Sequence, residues 1–151
     1  MRNVIVALAT WGGVGFCPGA PGTVGTAAAI PLFVVLSLLP HAIYLAILLI
    51  IALLACWVAG RAEKIFDDRD SPVIVIDEVV GYLVAMALIP ASWASVLVGF
   101  IVFRLFDIIK PPPIRFLEKS IQGGYGVVLD DAVAGVYAHV VVRIVLAVIA
   151  R

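Results

Sequence analysis

The apolar positions of this chain gather into five long blocks instead of alternating with polar ones: Asn3–Thr10, Ala27–Leu39, Ala42–Gly60, Val79–Phe106 and Ala132–Ala150. Blocks this uniform predict helices, because half-buried strands would alternate, but they also hide which helix face is buried. A spanning helix needs about 20 apolar residues, within a range of about 17–25. Ala42–Gly60 and Ala132–Ala150 fit; Ala27–Leu39 is short, and Asn3–Thr10 is too short to cross. Pro40-His41 reads as a tight turn between antiparallel helices. Val79–Phe106 as one straight helix would run about 42 Å. Pro90-Ala91-Ser92 breaks it, since proline disfavours helix in the residue before it. The block is read as a second hairpin, Val79–Ile89 with Trp93–Phe106, embedded only partway.

Two hairpins put the loops Gly12–Thr26, Arg61–Asp77 and Ile108–Leu129 on one side. Arg61, Lys64, Arg69, Lys110, Arg115 and Lys119 all lie there, whereas Pro40-His41 and Pro90-Ala91-Ser92 carry no Lys or Arg. That asymmetry is the one expected of cytoplasmic loops. A single helix over Val79–Phe106 would split the charges across the bilayer.

Composition sharpens the picture. The 151 residues suit one domain, 1–151. Apolar residues make up 64%, above the roughly 45–50% of soluble domains, and charged residues 13%, about half the usual share. With a mean hydropathy of +1.21, an all-α integral membrane bundle of helical hairpins with short, partly embedded helices is expected. Zero net charge argues against a nucleic-acid footprint. Cys17 and Cys56 have no metal-site spacing. Val4–Ala9 is too short for a convincing cleavable leader, so the start is expected to be retained.

With only ten acidic and ten basic residues, clustering of charge is informative. Carboxylates beside lipid are costly unless paired, hydrated or bound to a cation. Asp77-Glu78 opens the Val79 block, and one helix cap needs only one acid. Adjacent hard oxygen donors suit magnesium. Asp130-Asp131 follows Gly123-Gly124-Tyr125-Gly126 and is read as a second acidic pair at a helix start, with Ala134, Gly135 and Ala138 allowing close helix approach. Arg104, Asp107 and Lys110, three apart, share a helical face that the prolines 111–113 terminate. They could be a plain interfacial ion pair, but arginine also grips phosphate oxygens. Gly12–Thr26 holds six glycines and two prolines in fifteen residues, which argues against a regular helix and leaves N–H groups free for an anion. Thr23 or Thr26 could cap the following helix, whose N-terminus attracts phosphate. The Walker lysine is missing.

Other polar residues are read blandly. Asp67-Asp68-Arg69-Asp70 is taken as a solvated loop, Glu118 and Lys119 as a solvated amphipathic segment, and His41 and His139 as interfacial or packed. Cys17 lacks the arginine six residues on that a cysteine phosphatase loop requires.

Taken together, PGAPGTVGT, IVIDEVVG, FRLFDIIKPPP and GGYGVVLDDAVAG, in this order, resemble the phosphatidylglycerophosphatase A family from Gly12 to Gly135. The one departure is a proline within Lys110-Pro111-Pro112-Pro113 where an aromatic is expected. The resemblance implies an Mg2+-dependent lipid phosphatase of the bacterial inner membrane, facing the cytoplasm. It would convert phosphatidylglycerophosphate to phosphatidylglycerol and phosphate, with no obligate protein partner. Asp77, Glu78, Asp107, Asp130 and Asp131 would hold metal. Asp77, Arg104, Asp107, Lys110, Asp130 and Asp131 would carry catalysis. Gly22, Thr23, Gly25 and Thr26, with Arg104 and Lys110, would bind substrate. Two rival classes are a cation transporter and a lipid-headgroup phosphotransferase. The acids sit at segment ends and not in mid-membrane, against the first. Gly126-x-x-x-Asp130 matches part of the transferase signature, but Ala134 stands where a further Asp is needed.

Overall fold

The structure is a computed structural model that describes residues 1–149, apart from the side chains of Glu118 and Lys119. The expectations for those two side chains, and for Ala150, lie outside the described residues. Among the described residues, seven α-helices carry the fold: α1 Arg2–Ala9, α2 Pro21–Ser37, α3 His41–Phe66, α4 Ile76–Ala85, α5 Trp93–Ile109, α6 Ile114–Ser120 and α7 Gly124–Ile149. A 3-10 turn, Val14–Phe16, lies between α1 and α2. The described residues are all-helical with no strand, as the block pattern predicts.

Both hairpins are present, and each turn is set by its proline. Pro40 stands immediately before α3. Pro90 precedes α5, whose start is closed by a reciprocal cap between Ser92 and Ser95. The two turns meet, since Ser37, Leu39, His41, Leu88 and Pro90 share the wall of one small cavity. At the other end, α2, α4 and α7 begin and α3 and α5 finish.

Among the described residues, only α3 and α7, at 26 residues each, are long and apolar enough to cross a membrane. Of their apolar stretches just 28% and 22% are buried inside the protein. Leu49, Leu53 and Trp57 on α3, and Val136, Val140 and Ile144 on α7, point outward at helical spacing. A soluble protein would not leave such stripes in water; this is a membrane protein.

Small residues bring the inner helices together. α4 and α7 run parallel: a Cβ on Gly81 would sit 2.8 Å from the Asp131 carbonyl oxygen, and one on Gly135 would overlap the Gly81 carbonyl. Ala85, Ala134 and Ala138 are fully buried along the same seam. Such stripes let backbones approach where no hydrophobic effect drives helices together. α5 runs antiparallel, its Phe103 packed on Gly81 and edge-on to Tyr82. α4 has only ten residues, about 15 Å. Its last carbonyls are met by protein: Tyr44 donates to Leu83 at 2.7 Å, and the His139 ring sits 3.1 Å from the Ala85 oxygen.

Three boundaries differ most from expectation, beside shifts of three or four residues at both ends of α4 and at the end of α5. α2 starts at Pro21, so the second half of the glycine-rich stretch is helix and not loop. Gly25 is there for contact: its Cβ would come 2.7 Å from Val75 Cβ. α7 starts at Gly124, two turns before Asp131, because Gly124 must pass the Cys56 carbonyl of α3 without a side chain. Asp130-Asp131 therefore lies inside a helix, not at its start. α3 continues past Gly60 to Phe66, Gly60 packing on Gly124.

Candidate active site

Three helices deliver charged side chains to one place. α4 supplies Asp77 and Glu78 from its first turn, α5 supplies Arg104 and Asp107 from its last turns, and α7 supplies Asp130 and Asp131 from its second turn. Lys110 follows as the left-handed cap of α5, φ 45°. The parallel α4–α7 seam fixes the register, with Gly81 against Asp131 one turn below Asp77. Asp77, Asp107, Asp130 and Asp131 are only 3–9% exposed. These are not solvated surface charges.

The five acids divide into two kinds. Asp107 pairs with Arg104, and Asp130 accepts from Lys110 Nζ at 2.6 Å. Asp77, Glu78 and Asp131 instead gather so that one carboxylate oxygen from each lies within 4.8 Å of the other two. Asp77 Oδ1, Glu78 Oε2 and Asp131 Oδ2 are buried and accept no hydrogen bond from the described residues. Glu78 has only a distant cation, Arg104 Nη1 at 3.8 Å. Burial, then repulsion from Glu78 and Asp130, holds the Asp77 carboxyl well above the usual carboxylate range. Burial also raises Glu78, partly offset by Asp77 and Arg104. Three buried oxygens without donors form a hard, anionic pocket. That donor chemistry fits Mg2+, which takes carboxylate oxygens and keeps part of its water.

The cations are held ready by their partners. Asp107 engages Arg104 Nη1, while the buried Arg104 Nε has no acceptor. The row Arg104, Asp107, Lys110 is thus not a single ladder. The left-handed turn at 110 sends the lysine to α7 and leaves Asp107 to the arginine.

The glycine-rich stretch contributes less than expected. Gly22 adjoins the cluster, since a Cβ there would overlap Glu78 Oε1 and stand 3.1 Å from Arg104 Nη1. It lies in the first turn of α2. Thr23 is half-buried, Gly25 serves packing, and the Thr26 hydroxyl is bonded to the Gly22 carbonyl at 2.9 Å. Neither threonine caps α2, whose cap position is Ala20 and whose first residue is Pro21. Asp77 is likewise no cap; Val75 holds that place in α4.

One neighbourhood was missed in the sequence. Arg69 and Asp70, read there as part of a wet charge run, line a cavity together with Glu63 and Asp130. Asp70 is near enough to add repulsion to Asp77. The available signal was its position seven residues before Asp77, at the end of the same short linker.

Residues 7–146 match the family described as Phosphatidylglycerophosphatase A. Among curated relatives, Phosphatidylglycerophosphatase A of Haemophilus influenzae is 39% identical, over 94% of this chain and 88% of its own. The protein of that name from Escherichia coli is 34% identical, over 90% and 80%. A Bacteroides thetaiotaomicron protein described as a candidate phosphatidylinositol-3-phosphatase is 34% identical, over 92% and 91%. No solved structure matches significantly.

Proposed function

The chain belongs to the phosphatidylglycerophosphatase A family, a set of phosphoric monoester hydrolases, and from that premise we propose how its site works. The substrate is phosphatidylglycerophosphate, the products are phosphatidylglycerol and phosphate, and the cofactor is Mg2+. One observation carries the reading: three carboxylates, each with a buried oxygen that no described donor reaches, lie beside an arginine and a lysine that are both held in place. Anion-binding cations next to a hard-cation pocket are what phosphoryl transfer needs.

Asp77, Glu78 and Asp131 would hold the magnesium, which supplies Lewis-acid polarisation of the phosphoryl group. Arg104, through Nε, and Lys110, beside Asp130, bind nonbridging phosphate oxygens and offset charge as it develops. Asp107 and Asp130 orient these two cations. The first-turn N–H groups of α2 at Gly22 add partial positive charge. Water attacks phosphorus, a cluster carboxylate takes its proton, and as the P–O ester bond breaks the resulting carboxylic acid returns that proton to the departing glycerol oxygen. Attack by a carboxylate on phosphorus is the competing route, and acid-stable trapping of phosphate on the protein would reveal it.

The two activities named among the relatives share a chemistry. Each acts on a phosphomonoester of a polyol that a phosphodiester joins to the glyceride. The membrane is read as the bacterial inner membrane with the site facing the cytoplasm. Arg61, Lys64, Arg69, Lys110 and Arg115 lie towards the end of the bundle that holds the acids, while the turns at 38–40 and 86–92 hold no cation. Among the described residues Arg143, far along α7 and bonded to His139, runs against this trend.

Purified protein in mixed micelles should release inorganic phosphate from phosphatidylglycerophosphate with Mg2+ and not with EDTA. Phosphate release that EDTA leaves untouched would remove the magnesium, and no release at all would remove the reading. Cation uptake into vesicles, or headgroup exchange without free phosphate, would establish one of the rival classes.

A further inference from the structure

Beside the carboxylate cluster lies a cavity of about 330 Å3. Its walls come from Glu63 near the end of α3, Arg69 and Asp70 in the α3–α4 linker, and Gln122 and Gly123 ahead of α7, and Asp130 is shared with the site. The wall is built and not incidental. Glu63 Oε1 accepts the Asp70 amide at 3.0 Å, which pins the linker to α3. Gly123, at φ +73°, makes the turn into α7 without narrowing the space. Pockets that enclose small ligands begin at about 300 Å3, so this one suits a headgroup and not acyl chains. Arg69 contributes a guanidinium that no carboxylate pairs with among the described residues.

Resting on the hydrolase reading above, we propose that this cavity holds the headgroup between the scissile phosphate and the glyceride. Asp70 and Gln122 take polyol hydroxyls, and Arg69 takes the phosphodiester anion. The geometry follows from Asp130, which Lys110 holds at 2.6 Å on one side and which floors the cavity on the other. A phosphate on Lys110 therefore directs its ester oxygen and the attached polyol towards Arg69. A headgroup with two anions needs two cationic stations; Arg104 and Lys110 serve the outer one, and among the described residues Arg69 is the cation that lines the cavity for the inner. Arg69 is thus a specificity determinant, selecting phosphomonoesters that carry a second phosphate over plain lipid monoesters.

The test compares phosphatidylglycerophosphate with phosphatidate, which lacks both the polyol and the diester, in mixed micelles with Mg2+. Arg69→Gln should lower the ratio of the two kcat/KM values about tenfold, almost wholly through KM for the first lipid. Arg69→Lys should restore part of the ratio, a rescue that a merely structural role would not give. Arg69 is exposed in a linker, so both variants should fold. An unchanged ratio in an active Arg69→Gln enzyme, or equal losses on both lipids, would overturn the assignment alone. A wild-type protein inert on both lipids would overturn the hydrolase reading and this one with it.

Discussion

Gly22→Ala is the sharpest test of how α2 serves the site. The added methyl would overlap Glu78 Oε1 and stand 3.1 Å from both Glu78 Cδ and Arg104 Nη1. Ordinary carbon–carbon contacts are about 3.5–4.0 Å, so the Glu78 carboxylate must withdraw by roughly 1 Å. Misplacement of a reacting or ligating group by about 1 Å costs on the order of 10²-fold in rate. Stability should hardly suffer, because the displaced atoms end a flexible side chain and alanine is the better helix former by up to about 1 kcal/mol. Gly25→Ala, one turn on, makes the opposite expectation. Its methyl meets the fully buried Val75 at 2.7 Å, for an overpacking loss of about 1–3 kcal/mol with a smaller effect on turnover of the folded enzyme. Phosphate release and thermal unfolding in detergent, measured on both variants, separate the two effects. Wild-type kcat/KM in Gly22→Ala, with an unchanged melting midpoint, would refute the placement of Glu78 in the working site.

Other outcomes follow from the same cluster. Asp131→Asn should cut turnover on the order of 10²–10³-fold. It should also raise the metal-free melting midpoint, since about 1 kcal/mol of relieved repulsion is worth roughly 2–4 °C in a chain of this size; a lowered midpoint would argue against mutual repulsion. Asp77 and Glu78 titrate above the usual carboxylate range, so the folded state binds more protons than the unfolded one just above about pH 4. Their contribution is present below that pH and lost as pH rises, so the EDTA-treated protein should melt lower at about pH 8 than at about pH 5, with Mg2+ abolishing the difference. Lys110→Met strands a buried carboxylate, while the pair Lys110→Met with Asp130→Asn does not. The double variant should be more stable than Lys110→Met alone by about 1–3 kcal/mol, read by chemical denaturation.

The hairpins were legible because Pro40 and Pro90 interrupt uniform blocks, and proline acts through local sterics that need no tertiary knowledge. The glycines were harder. Gly22, Gly25, Gly124 and Gly126 have a loop-like composition, yet all lie within helices, where the missing side chain lets Glu78, Val75, Cys56 and Ile121 approach. One sequence shows that a glycine is present but not whether torsion or proximity demands it. The acids were found, but not their division into two salt-bridged members and three donorless ones. That division depends on the left-handed turn at Lys110, which carries the lysine past Asp107 to Asp130. Arg69 and Asp70 were set aside because a charge run beside a helix end is ordinary, and only the fold shows what it faces.

The brevity of α4 has a consequence for the host membrane. A helix about half as long as a hydrocarbon core would normally strand its last carbonyls in oil. Here the phenol of Tyr44 and the imidazole of His139 stand in for the missing water. Because α4 finishes against the protein's own hydrogen-bonding groups, it has no need to reach the far headgroups. A cell that lengthens or shortens its acyl chains can therefore keep this helix at ten residues.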